Sequence, residues 1–179
     1  VLYVFGFERT AVVLSDLYHV DPDPMKGQES PEHGVRLEVR LLSAGELKGG
    51  IYSAQPIEIG ELIWRADLLE SVDGRPGSFD RTHHHPVIED GWEPGPRVFE
   101  RELSAFPVEW VGSRLADLDG LLAQSGATVP ADARDAQRLR SCLPEILNAL
   151  TRLLDQVRAG ELGRPASDEP VTSARVGWL

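Results

Sequence analysis

The stretch RTHHHPVIEDGWEPGPR, Arg81 to Arg97, sets three consecutive histidines ahead of two acids and a Pro/Gly-rich bend. In an extended segment side chains alternate, so His83 and His85 project to one side and His84 to the other. Two imidazoles at that spacing can offer nitrogens to one cation. A third ligand has to be a carboxylate or imidazole, and the choices are Asp67, Asp80, Glu89, Asp90, His19 and His33. His83, His85 and Glu89 form the nearest set in the chain. The ions such a set suits are divalent: zinc, manganese, iron or nickel. The competing reading is a polar turn whose imidazoles face water or cap backbone groups.

WRADLLE, Trp64 to Glu70, carries the second candidate. Arg65 and Asp67 stand two apart on a strand and share a face, beside Arg36, Glu38 or Arg40 on a neighbour. Arg65 and Asp67 could bind a small ligand, the guanidinium acting as a fork for carboxylate or phosphate. The alternative is a ladder of cross-strand ion pairs on a solvated face. Joined to His83 and His85, the same residues would suit metal-assisted hydrolysis of an ester or phosphoester, the ion acidifying a bound water.

The histidine stretch resembles the first motif of the cupin family: a glycine, His-x-His, a glutamate and a later glycine, here Gly77, His83, His85, Glu89 and Gly95. The resemblance covers about twenty residues. It implies a metal held by His83, His85 and Glu89. The final interval is one residue short, and no histidine follows His85 to complete the family's second motif. As a whole, with IWRADLLESVDGRPGSFDRTHHHP as the most telling stretch, the sequence resembles uncharacterised bacterial proteins of Arg/Ala/Leu/Pro-rich, actinobacterial-style composition. A looser likeness is to small toxin–antitoxin proteins.

Other chemistry is excluded more firmly. A net charge of −11 repels phosphate backbones and makes nucleic acid an unfavourable partner. No G-x-S-x-G elbow, P-loop, dinucleotide glycine fingerprint or H-E-x-x-H helix occurs. The single cysteine, Cys142, rules out an internal disulfide and a multi-cysteine zinc cage, and in a helical run it reads as an inert, partly buried thiol. The apolar opening VLYVFGF is too short to span a bilayer, and no basic leader or cleavage site follows it. The expectation is a cytoplasmic protein with no membrane segment.

The elements that must position these residues are strands first and helices after. Ala11 to Val20 is rich in β-branched and aromatic residues. In Val35 to Leu42, Val35, Leu37, Val39 and Leu41 point one way and Arg36, Glu38 and Arg40 the other. The loop between them runs from Asp21 to Gly34. Gly60 reads as a hairpin turn between strands near Ile51 to Ile59 and Glu61 to Ser71. In the later strand Leu62, Trp64, Ala66 and Leu68 share one face, Ile63, Arg65 and Asp67 the other. One long bulged strand over Ile51 to Ser71 is the alternative, and it would gather all five histidines at one end. A further strand is expected near Arg97 to Leu103.

From Pro107 the period becomes helical. Val111, Leu115, Leu118 and Leu122 form one stripe that Gly126 ends. Leu139, Leu143, Ile146, Leu150, Leu153 and Val157 form a longer one, with a kink or restart expected at Pro144 and an end at Gly160. Trp92, Trp110 and Trp178 read as core or anchor residues. The pattern predicts an α+β fold, an antiparallel sheet from the N-terminal half covered on one face by C-terminal helices. It occupies one domain over residues 1–160, with strands to about 103 and helices over about 107–159, followed by a tail over 161–179. The Leu139–Val157 seam either covers the sheet or pairs with its copy in a homodimer. The function read from this is a small soluble protein with a polar, metal- or ligand-binding site at the sheet edge. The alternatives are a metal-dependent hydrolase and a protein-interaction module built on the helices.

Overall fold

The structure, a computed structural model, describes residues 1–24, 26–47, 49–50, 56–125 and 133–165. Strands β1 (Leu2–Gly6), β2 (Thr10–His19), β3 (Glu32–Ala44), β4 (Ile57–Ser71) and β5 (His83–His85) form one antiparallel sheet in chain order. A small ribbon follows, β6 (Ile88–Glu89) with β7 (Glu93–Pro94). The helices are α1 (Arg101–Ala105), α2 (Pro107–Ala116), α3 (Leu118–Ser125) and α4 (Ala133–Arg158). The chain is α+β, as the change of period predicts.

Alternation decides which face the helices cover. Val12 and Leu14 of β2, Val35, Leu37 and Val39 of β3, and Trp64, Ala66 and Leu68 of β4 are buried in one cluster with the helices. Against them lie Val111, Leu115, Leu118 and Leu122 from the first helical stripe and Leu139, Ile146, Leu150, Leu153 and Val157 from α4. Each fully buried Leu or Ile of this kind stabilises the fold by roughly 1.5–3 kcal/mol. The α4 seam is therefore spent within the chain, and those five residues offer no free surface to a second copy.

Helix α4 is continuous through Pro144, so the expected restart does not occur there. Pro144 is exposed, so the carbonyl it leaves unpaired one turn back, on exposed Arg140, can be met by solvent. Gly160, at φ 68°, ends the helix by taking the left-handed conformation that lets Glu161 N–H return to Gln156 O. Asp135 anchors the other end, its carboxylate accepting the Glu8 and Arg9 N–H groups and the Thr10 hydroxyl.

Four further expectations are corrected. Gly60 is not a hairpin turn: it lies inside β4, which pairs with β3 past two register shifts around Arg40. The extra residue moves Ile63 into the core cluster and sets Leu62 opposite Arg40, reversing the expected faces there. The strand near Arg97 to Leu103 shrinks to one bridge between Val98 and His84, because helix α1 has begun by Arg101. The stripe after Pro107 is two helices, broken at Asp117, whose carboxylate accepts the Gly120 N–H. Trp92 is exposed rather than core. Trp178 and Gly126 lie outside the described residues. Among the described residues no helix is long and apolar enough to cross a membrane.

Candidate metal centre

The hairpin joining β4 to β5 sets the register of the histidines. Asp80 closes it from within, accepting the Ser71 N–H and hydroxyl and the Ser78 hydroxyl. Thr82 then pairs with Leu69 through its side chain, Oγ1 accepting the Leu69 N–H at 3.0 Å and donating to Leu69 O at 2.9 Å. With the chain pinned there, His83 falls opposite Asp67, His84 opposite Ala66 and His85 opposite Arg65. Extended to the next strand, the ladder makes two rows on the face away from the helices. Arg36, Asp67 and His83 form one, and Glu38, Arg65 and His85 the other. A slip of one residue would turn His84 toward this face and remove its two neighbours.

His83 and His85 are oriented in the same way. His83 Nδ1 donates to Arg81 O at 2.8 Å, and His85 Nδ1 donates to Gly95 O at 2.7 Å. Each bond commits Nδ1 as a donor and turns Nε2 toward Asp67, the usual role of an outer partner to a metal-binding histidine. Both Nε2 atoms face one carboxylate oxygen, Asp67 Oδ2, at 3.4 Å from His83 and 3.8 Å from His85. A tetrahedral ion with bonds of about 2.0–2.1 Å separates its ligand atoms by about 3.3 Å, close to the first of these distances. Ligand atoms of all three residues lie within 4.8 Å of one another. His83, His85 and Asp67 are 2%, 5% and 1% exposed, so water cannot settle the account, and His85 Nε2 has no hydrogen-bond partner.

Asp67 is ionised against its burial. Desolvation works to keep the proton on, but Arg36, the His83 contact and Arg65 outweigh it and hold the carboxyl well below the usual carboxylate range. Arg36 Nε donates to Oδ1 at 2.9 Å and Arg65 Nε to Oδ2 at 2.8 Å, with a second bond from Arg65 Nη2. Burial pushes the His85 imidazolium down to about 4, Arg65 and His83 adding to the effect and the Gly95 bond and Asp67 opposing it. Near neutral pH His85 thus keeps the lone pair a metal needs.

His84 lives on the other face. Its ring lies 6.3 Å from Trp64 and 4.9 Å from Trp110, and Nε2 donates to Glu100 Oε1 at 3.0 Å. Trp110 Nε1 donates to the same carboxylate at 3.2 Å. This histidine is a core residue whose Nε2 is paired and whose buried Nδ1 has no hydrogen-bond partner.

Of the residues the sequence proposes, the fold brings Asp67, His83 and His85 together, with Arg65 at their side. Glu89 is not with them: it sits exposed on the ribbon opposite Glu93, where β6 has left the plane of β5. Asp80 is occupied in its turn, Asp90 is exposed, and His19 and His33 pair with Glu32 and Glu70. All five histidines do come to the same end of the sheet, as the bulged-strand alternative requires, yet only two of them reach Asp67. Sequence reasoning missed the carbonyls of Arg81 and Gly95. The Pro94-Gly95-Pro96 bend was their one visible signal. A Cβ at Gly95 would come within 2.8 Å of Val87 O, so the glycine is what lets this turn close on His85. Comparison of the chain with protein-family models, curated proteins and solved structures finds no match.

Proposed function

We propose that this protein binds a divalent transition-metal ion through Asp67 Oδ2, His83 Nε2 and His85 Nε2, at the buried edge of its sheet. One observation carries the reading. Two imidazoles whose Nδ1 protons are committed to backbone carbonyls turn their Nε2 atoms on one ionised carboxylate oxygen, which Arg65 holds from its own side, and His85 Nε2 is buried there without a hydrogen-bond partner. A buried arrangement of that kind is unfavourable by itself and becomes favourable around a cation. Imidazole with carboxylate suits zinc, iron, manganese or nickel.

A metal-dependent hydrolase is the second reading. Three protein ligands leave at least one position of a tetrahedral ion for water, and Arg65 stands beside it. Binding ranks first because Arg36 and Arg65 already hold the carboxylate and because Glu89, the acid next in sequence, is away from the site. Thermal unfolding of tag-free protein in zinc, manganese, iron(II) or nickel, against chelator, tests the proposal. A ligand that binds only the folded chain at a hundredfold its Kd stabilises by about 2.7 kcal/mol. At least one ion is expected to raise Tm by several degrees in wild type and to do nothing in the His83→Ala/His85→Ala double variant. No shift with any of the four would overturn the reading.

A further inference from the structure

We infer that the metal proposed above is held together with an oxyanion, a carboxylate or phosphate group bound between the ion and the guanidiniums of Arg36 and Arg65. The inference rests on the metal reading. Its starting point is charge. From β3 and β4 this patch presents Arg36, Arg40 and Arg65 against Glu38 and Asp67, an excess of cations in a chain of net charge −11. A divalent ion on Asp67 would add two more positive charges beside two guanidiniums. With Glu38 paired to Arg40, Asp67 alone cannot balance them in a half-buried setting, where like charges repel far more strongly than in water. A small anion at the open coordination position restores the balance.

The donors for it are present. Among the described residues Arg36 is bonded through Nε alone, which leaves both of its Nη groups free. Arg65 uses Nε and Nη2 on Asp67 and keeps Nη1. Both side chains are partly exposed, 21% and 16%, so these N–H groups reach solvent while the metal ligands beneath do not. Planar guanidinium edges held by a carboxylate on one side are preorganised to take oxygen atoms on the other. The anion would thus enter from solvent, meet the arginines and complete the coordination of the ion.

Isothermal titration of metal-loaded wild-type protein with inorganic phosphate and, separately, acetate tests this. Saturable binding of one of them is expected, lost on chelation of the metal. Arg36→Gln, compared per bound metal ion, should weaken it about tenfold or more, the usual worth of a hydrogen bond to a charged group. Arg36→Lys, which keeps the charge and disturbs the sheet least, should recover part of the affinity. Metal-loaded protein that binds neither probe, or an Arg36→Gln variant that binds as tightly as wild type, overturns the inference and leaves the metal site standing. A chain that takes up no metal overturns both.

Discussion

Three histidines in a row occupy two different chemistries, and the comparison between the faces of β5 shows how. His84 points into the core and finds what a buried imidazole normally finds: aromatic rings on two sides and a carboxylate accepting its N–H. His83 and His85 are as deeply buried, yet their free nitrogens meet only Asp67, itself already gripped by two arginines. Residue type and burial are the same on both sides. What differs is what the remaining nitrogen serves. His84 Nδ1, also without a hydrogen-bond partner, belongs to a ring packed against Trp64 and Trp110. The Nε2 atoms of His83 and His85 instead converge on one carboxylate, and that is set by register and by two backbone carbonyls. A buried nitrogen without a partner points to a binding site when other ligand atoms converge beside it, as they do at His85 and not at His84.

The sharpest way to break the comparison is to remove its shared carboxylate. Asp67→Ala leaves Arg36 and Arg65 half-buried without their partner, and a loss of about 3–5 kcal/mol in urea unfolding is expected. His84→Ala should cost about 2 kcal/mol through lost packing and the lost Glu100 bond, while metal-dependent stabilisation stays intact. His83→Ala/His85→Ala should show the opposite pattern in the same assay.

Gly95→Ala sharpens the role of the carbonyls. The added methyl must push against Val87 O, shifting the acceptor that orients His85, and metal affinity by competition with a chromophoric chelator should fall about 10–100-fold. His83 and its Arg81 carbonyl should be unaffected, so binding weakens rather than disappears.

The smallest effect is on pH. Burial lowers the pKa of His84, and lowers that of His85 to about 4, from an ordinary value of 6.5. The unfolded chain therefore takes up protons that the folded metal-free chain resists, so this stabilisation is full above pH 6.5 and is lost as pH falls toward 4. Urea midpoints of chelated protein should decline over that window. His84→Ala and His85→Ala should each flatten the decline. Asp67, held below the usual range, keeps its contribution to lower pH and gives it up only beneath 3.8.

Periodicity made most of this architecture legible. Alternation in Val35–Leu41 and the repeat from Leu139 to Val157 depend only on which residues avoid water, and both appear as read. The histidine pair and the Arg65/Asp67 pair were visible for the same reason, since neighbours on a strand share a face at every second residue. What joins the pairs was not. Register between β4 and β5 comes from the Thr82 side chain standing in for backbone, and the continuity of β4 comes from bulges that absorb Gly60. Neither has a period. Glu89 was the natural third ligand along the chain, but distance along a chain says little once the backbone turns, and the ribbon carries it to the surface. Asp67, sixteen residues before His83, is the one that cross-strand pairing brings into place.

Elemental analysis of tag-free protein, purified without chelator and then incubated with zinc, manganese, iron(II) and nickel, tests the central claim most directly. Wild type and His84→Ala are expected to carry close to one metal ion per chain, and His83→Ala/His85→Ala none. Metal-free wild type, or equal metal in the double variant, would contradict it and return His83 and His85 to the buried, purely structural role of their neighbour.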